Sequence, residues 1–200
     1  MRGGAESYLR QPRYLKTAGR VDRAARRSGM RYAIVGGIAV NWYSNPPPTA
    51  DIDIAVEPDE KKLGAFLAEL RSEGVVETGR TMMLQDIADI VLRDPRTRLT
   101  VELLSGWAPT HLSAISSAVR VRVGRYSFRV ASVEDVITTK AMAYFDRWKR
   151  KDIAAVQELL LKYEGRLNYQ KMSEVMRNEG RHGQFRLILA ASRRGKEGRH

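Results

Sequence analysis

The triplet Asp51-Ile52-Asp53 is where side-chain chemistry first stands out in this chain. On a strand, residues i and i+2 share one face and lie about 6–7 Å apart. Two carboxylates so placed repel each other unless a proton, a cationic partner or a metal ion lies between them. Mg²⁺ suits the pair, because it prefers hard oxygen ligands and keeps positions for water and substrate phosphates. Two such ions about 3.5–4 Å apart also fit between carboxylates of this kind. A strand face turned to water would carry the same triplet. Upstream, Val35-Gly36-Gly37-Ile38 sets two glycines between a strand and a helix. Glycine lets backbone approach a ligand closely, and the free N–H groups of a helix start attract phosphate. A plain strand-to-helix turn also uses glycine. The pair is neither a Walker loop nor a GxGxxG fingerprint.

Three further residues sit where chemistry is plausible. Glu102 lies between Val101 and Leu103 on a later strand; it either faces solvent or joins Asp51 and Asp53 as a third carboxylate, acting as metal ligand or general base. Lys140 shares a helical stripe with Val136, Ile137 and Tyr144. An ammonium there is costly unless it reaches water or an anion such as a nucleotide phosphate. Asp152, in Lys149-Arg150-Lys151-Asp152, is either a helix-start acid favoured by the dipole or a partner that positions Lys140.

The elements that must hold these residues read as a mixed α/β layer followed by helices. Tyr32–Val35 predicts a short buried strand, ended by Gly36-Gly37, with a short helix from Ile38 to Tyr43 before Pro46-Pro47-Pro48. Ile52, Ile54 and Val56 alternate with Asp51, Asp53 and Ala55 at strand period. Pro58-Asp59-Glu60 opens an amphipathic helix striped by Leu63, Phe66, Leu67 and Leu70. Strands follow at Ile87–Leu92 and Leu99–Leu104, then a short helix around His111–Val119 and a hairpin about Gly124. Ser132 with Asp135 resembles a capping box for the helix carrying Lys140. Further helices run from about Lys151 and Tyr169, and Arg193 to His200 reads as a basic tail.

Charge is unevenly placed. There are 35 Lys and Arg against 23 Asp and Glu, a formal net charge of +12, which points to a polyanionic partner, RNA or DNA before an anionic membrane. Residues 1–31 hold nine basic and two acidic residues, whereas residues 32–60 hold five acids and no Lys or Arg. Bound cations would explain so acidic a patch in so basic a chain. The absence of cysteine excludes disulfides, Cys-ligated zinc and thiol catalysis. The first residues lack the apolar core of a signal peptide, and no run nears the roughly 18 apolar residues of a membrane span. The expectation is a cytoplasmic protein with no membrane partner.

Taken together, Gly36-Gly37, Asp51-Ile52-Asp53 and Glu102 resemble, in order and spacing, the DNA polymerase β-type nucleotidyltransferase superfamily. Ser132-Val133-Glu134-Asp135-Val136, Lys140 and Lys151-Asp152 are similar to motifs of its small branch of AbiEii-type and MenT-type toxins. The likeness spans roughly residues 30–165. It implies an α/β (α+β) fold: a nucleotidyltransferase-type mixed sheet with flanking helices and a helical C-terminal part. The division it suggests is a basic N-terminal helical arm (1–30), the nucleotidyltransferase core (31–130), a C-terminal helical region (131–192) and the basic tail (193–200).

The resemblance also implies an Mg²⁺-dependent enzyme that moves a nucleoside monophosphate from an NTP to an acceptor hydroxyl. Asp51, Asp53 and Glu102 would hold two metal ions. Gly36, Gly37 and Thr49 would line the nucleotide site, and Lys140, oriented by Asp152, would neutralise phosphate. RNA, a tRNA end above all, is the expected acceptor, with a cognate antitoxin as protein partner. Protein nucleotidylation, an aminoglycoside-like acceptor and a degenerate binding module are the alternatives. Two departures stand out: Pro47 replaces the Arg that many relatives carry four residues before the first Asp, and the third acid is Glu rather than Asp.

Overall fold

A computed structural model describes residues 11–44, 49–84 and 87–197. The first ten residues, Pro46 to Pro48 and the last three residues, all read above from sequence, lie outside this range. Fifteen elements follow in chain order: α1 (Pro12–Ser28), β1 (Tyr32–Ile34), α2 (Gly36–Tyr43), β2 (Asp51–Val56), α3 (Glu60–Ser72), β3 (Val76–Leu84), β4 (Ile87–Asp94), β5 (Leu99–Ser105), α4 (Pro109–Ser116), β6 (Val119–Val123), β7 (Tyr126–Val130), α5 (Val133–Arg147), α6 (Arg150–Lys162), α7 (Tyr169–Asn178) and α8 (His182–Glu197). The strands form one mixed sheet in the order β3-β4-β5-β2-β1-β7-β6.

The alternation in β2 decides how the sheet is used. Ile52 and Ile54 are fully buried, and each contributes about 1.5–3 kcal/mol of hydrophobic stabilisation. Their parallel partners Val101 and Leu103, and Leu92 on β4, are buried on the same face. Helix α1 covers that face. Its Thr17 hydroxyl donates to the buried Asp94 carboxylate at 2.7 Å, and Arg20 pairs with the same group. Tyr32 of β1 donates to Asp22 of α1 at 3.0 Å and accepts the Arg129 N–H at 3.0 Å, joining α1, β1 and β7. Helix α3 lies beside α1, held by Arg23 on Glu73 and Arg27 on Glu69 and Glu73. The opposite face of β2 and β5 presents Asp51, Asp53 and Glu102.

Local signals account for the helix boundaries. Asp59 caps α3 by accepting the Lys62 N–H at 3.0 Å, and Asn168 caps α7 through the Lys171 N–H at 2.9 Å. Ser132 caps α5. Asp135 does not complete a reciprocal box. Its carboxylate instead gathers Ser113 at 2.6 Å, Ser132 at 2.5 Å, Lys171 Nζ at 2.6 Å and the Ser117 hydroxyl, tying α4, α5 and α7 together. Helix α8 continues to Glu197, through the stretch that composition reads as the start of a tail. Among the described residues no helix is long and apolar enough to cross a membrane.

Candidate active site

The site forms where β2 meets the start of α2. Gly36 opens that helix at φ 64°, a backbone region that L side chains rarely adopt. A Cβ at Gly36 would overlap the Asp53 carboxylate, lying 2.5 Å from its Cγ and 2.8 Å from its Cβ. The turn is therefore moulded onto Asp53. Two further bonds hold it there: the Val35 N–H donates to the Asp53 carbonyl at 2.9 Å, and the Gly37 N–H approaches the carboxylate at 3.4 Å. Gly37 faces Thr49, whose Cγ2 would stand 3.1 Å from an added Cβ. Thr49 is fixed in turn by Tyr14 of α1, whose hydroxyl donates to its carbonyl.

The parallel register of β2 and β5 sets Asp53 beside Glu102 and Asp51 beside Thr100. Neighbours in register point to the same side of a sheet, so all three expected acids share one face. Burial raises the Asp53 carboxyl above its usual range; Lys140 and the Gly37 N–H pull it down, Asp51 pushes it up, and Arg147 pulls it down. A half-buried carboxylate with a second carboxylate two residues away is a group suited to a bound cation.

Among the described residues no three Asp, Glu or His side chains form a closed metal cage. The donor set fits Mg²⁺ in its more usual manner, which is one or two carboxylates with substrate phosphates and water completing the shell. The missing Cβ at Gly36, which leaves the Asp53 carboxylate open to the turn, supports that fit.

Lys140 and Asp152 meet at 2.9 Å across the corner between α5 and α6. Their side chains are 13% and 1% exposed. The lysine does not snorkel to solvent; it is held against a buried carboxylate. The second Asp152 oxygen is buried without a hydrogen bond, and Arg147 stands 3.7 Å from it. Arg147 was not singled out as a site residue, although it lies seven residues from Lys140 and so on the same helical face. Tyr14 was also missed, since nothing local links it to Thr49. The basic residues are divided between two places: Arg147 and Lys149–Lys151 adjoin the Lys140–Asp152 corner, whereas α1 lies on the far face of the sheet.

Solved structures that resemble this chain over most of its length include an antibiotic-resistance factor and a fungal protein. The antibiotic-resistance factor ANT(2'')-Ia is 16% identical in its solution structure, over 92% of this chain and 97% of that one, with a TM-score of 0.56. The same factor in complex with adenylyl-2''-tobramycin aligns over 86% of this chain and 98% of its own, at 15% identity and a TM-score of 0.56. An antigenic nucleotidyltransferase-like protein from Paracoccidioides brasiliensis is 18% identical over 89% of this chain and 91% of that one, with a TM-score of 0.53. At such identities the likeness establishes the nucleotidyltransferase fold. No curated protein matches in sequence. Residues 14–184 match the family described as "Nucleotidyl transferase of unknown function (DUF2204)", and the chain belongs to that family of nucleotidyltransferase enzymes.

Proposed function

We propose that the chain transfers a nucleoside monophosphate from an NTP to an acceptor hydroxyl on RNA, at the site built from Gly36, Gly37, Asp51, Asp53, Glu102, Lys140 and Asp152. The observation that carries this reading is the Gly36 turn moulded onto Asp53 beneath Lys140. Asp51 and Asp53, with Glu102 alongside, would hold Mg²⁺. When bound, the metal supplies a Lewis acid for the phosphate oxygens. Gly36 and Gly37, at the start of α2, offer backbone N–H groups to the β- and γ-phosphates, and Thr49 borders them. Lys140, kept in place by Asp152, neutralises phosphate charge. Glu102 takes the proton of the acceptor hydroxyl as its oxygen attacks the α-phosphorus. The bond from that phosphorus to the β-phosphate oxygen breaks, and pyrophosphate leaves. Positioning and fixed charge supply most of the rate in such a transfer.

Charge favours RNA as acceptor. Arg147 and Lys149–Lys151 border the Lys140–Asp152 corner, and the whole chain carries +12. Such a rim attracts a polyanion and repels a polyamine acceptor such as the tobramycin of the ANT(2'')-Ia complex. A tRNA end and a toxin role with a cognate antitoxin follow from the motif likeness of Ser132–Val136, Lys140 and Lys151-Asp152 to AbiEii-type and MenT-type toxins, and a cytoplasmic setting is the reading of the N-terminal residues. The test is incubation with each α-³²P-labelled NTP, Mg²⁺ and total tRNA, beside Asp53→Ala. Label entering RNA with the wild type alone is the expected result. Label entering protein replaces the acceptor, and an active, folded Asp53→Ala variant sinks the site.

A further inference from the structure

The cations of α1 fall into two groups. Arg20, Arg23 and Arg27 are engaged by Asp94, Glu73 and Glu69. The side-chain cations of Arg13 and Lys16 pair with no carboxylate among the described residues, and neither do those of Arg96 after β4, whose backbone N–H alone donates to Asp94, or Arg125 before β7. These four converge, with Arg20 and Arg23, on one groove of about 770 Å³ whose walls carry no acid. Uncompensated cations facing a common hollow repel one another, and an anionic ligand relieves the repulsion.

Two other observations mark this groove. The ring of Tyr126 lies in it against α1 at Gly19, where an added Cβ would come 2.8 Å from the ring, so the glycine makes room for the aromatic. The Tyr126 phenol is pulled below its ordinary range by a hydrogen bond from Arg125 and by the charges of Arg125, Lys16 and Arg20. The positive field is therefore concentrated around the Tyr126 ring, over which the Arg125 guanidinium lies 5.3 Å from the centroid. A second hollow of about 350 Å³ shares Arg23, Arg125 and Tyr126 and continues past Arg122. At the other end, Arg13 donates to the Tyr14 hydroxyl at 2.9 Å, and Tyr14 holds Thr49, two residues before Asp51.

We infer that this groove binds the phosphate backbone of a single-stranded RNA segment, on the side of the sheet away from the candidate active site. It anchors the acceptor while the strand's end reaches the Asp51–Asp53 face past Thr49. The choice of RNA over another polyanion rests on the acceptor reading above. A membrane surface fits less well: the apolar side chains of α1 (Tyr14, Leu15, Ala18, Val21) are buried against the protein, and the groove is concave.

The test is fluorescence anisotropy with a labelled 20-nucleotide single-stranded RNA, without NTP or Mg²⁺, across about 50–300 mM KCl. The triple variant Lys16→Ala/Arg96→Ala/Arg125→Ala should bind about 10- to 50-fold more weakly, and its salt slope should fall by about 2, near 0.7 for each lost phosphate contact. A control triple, Lys61→Ala/Arg177→Ala/Arg186→Ala, removes the same charge from other surfaces and should change affinity less than about threefold. Equal weakening by both triples overturns the groove, as does unchanged binding by the first. Loss of binding to phosphatidylserine vesicles with RNA binding intact overturns it also. Nucleotidyl transfer is read separately through Asp53→Ala, so either reading can fail while the other stands.

Discussion

Gly36→Ala tests whether the turn exists to place Asp53. At φ 64° an alanine carries a backbone cost of about 1–2 kcal/mol. For a chain of this size that lowers Tm by roughly 2–8 °C. The contact cost is separate. The new Cβ would stand 2.5 Å from Asp53 Cγ and overlap its Oδ2 more deeply, and ordinary carbon–carbon contact begins near 3.5 Å, so the carboxyl must retreat by at least about 1 Å. A displacement of that size at a reacting centre costs on the order of a hundredfold in rate.

Gly29 supplies the control. It has φ 71° and nothing within 4 Å of an added Cβ, so Gly29→Ala carries the backbone cost without the collision. Both variants are to be melted by circular dichroism and assayed for label transfer from the α-³²P-NTP that the wild type uses. Comparable Tm losses are expected, with a rate loss near a hundredfold for Gly36→Ala and less than about threefold for Gly29→Ala. Equal, small rate losses in both would refute the reasoning, because Asp53 would then tolerate the displacement.

Two further predictions concern the buried ion pairs. Lys140→Met and Asp152→Leu should each destabilise by about 3–5 kcal/mol by stranding the partner charge, whereas the double variant should recover most of that in urea unfolding. Activity should stay lost in all three; recovery in the double variant would reduce the pair to packing. Asp94 is the second case. Burial raises its carboxyl, but the Thr17 and Thr97 hydrogen bonds and Arg20 outweigh this and hold it below the usual aspartate range. A folded-state pKa below the unfolded one stabilises the fold above the unfolded pKa, about 4, and the gain is lost as pH falls through the folded value. The urea-midpoint gap between wild type and Asp94→Asn should thus be constant above about pH 5 and shrink below about pH 4; a gap independent of pH would contradict the assignment.

Local pattern accounts for most of what the sequence made legible. Alternation of Asp51, Ile52, Asp53 and Ile54 specifies a strand with one acidic face, because period two leaves no other way to bury both isoleucines. The Asp59 and Ser132 caps are equally local. What escaped was non-local or unpatterned. Strand β3 has a register shift between Glu77 and Thr81, which breaks the alternation that would have announced it. Asp135 looks like half of a capping box, yet its partners Ser113, Ser117 and Lys171 come from other helices. The amphipathic stripe of α1 shows that the helix packs, but not which face of the sheet it covers, and that choice separates its cations from the Asp51–Asp53 face.

The same choice explains why so much positive charge is tolerated. Where α1 meets the sheet and α3, its cations are matched one by one: Arg20 with Asp94, Arg23 with Glu73, Arg26 with Asp22. Those pairs serve the fold, and the acids that answer them come from β4, α1 itself and the end of α3. Arg13, Lys16, Arg96 and Arg125 have no such answer among the described residues, and their removal leaves no buried acid stranded. The other face gathers acids instead, with Asp51, Asp53 and Glu102 on adjacent strands and Lys140 and Arg147 acting on Asp53. Charge of opposite sign concentrated on the two sides of one sheet is costly for an isolated protein. It is what a protein needs if a polyanion binds one side and a cation-bound triphosphate the other.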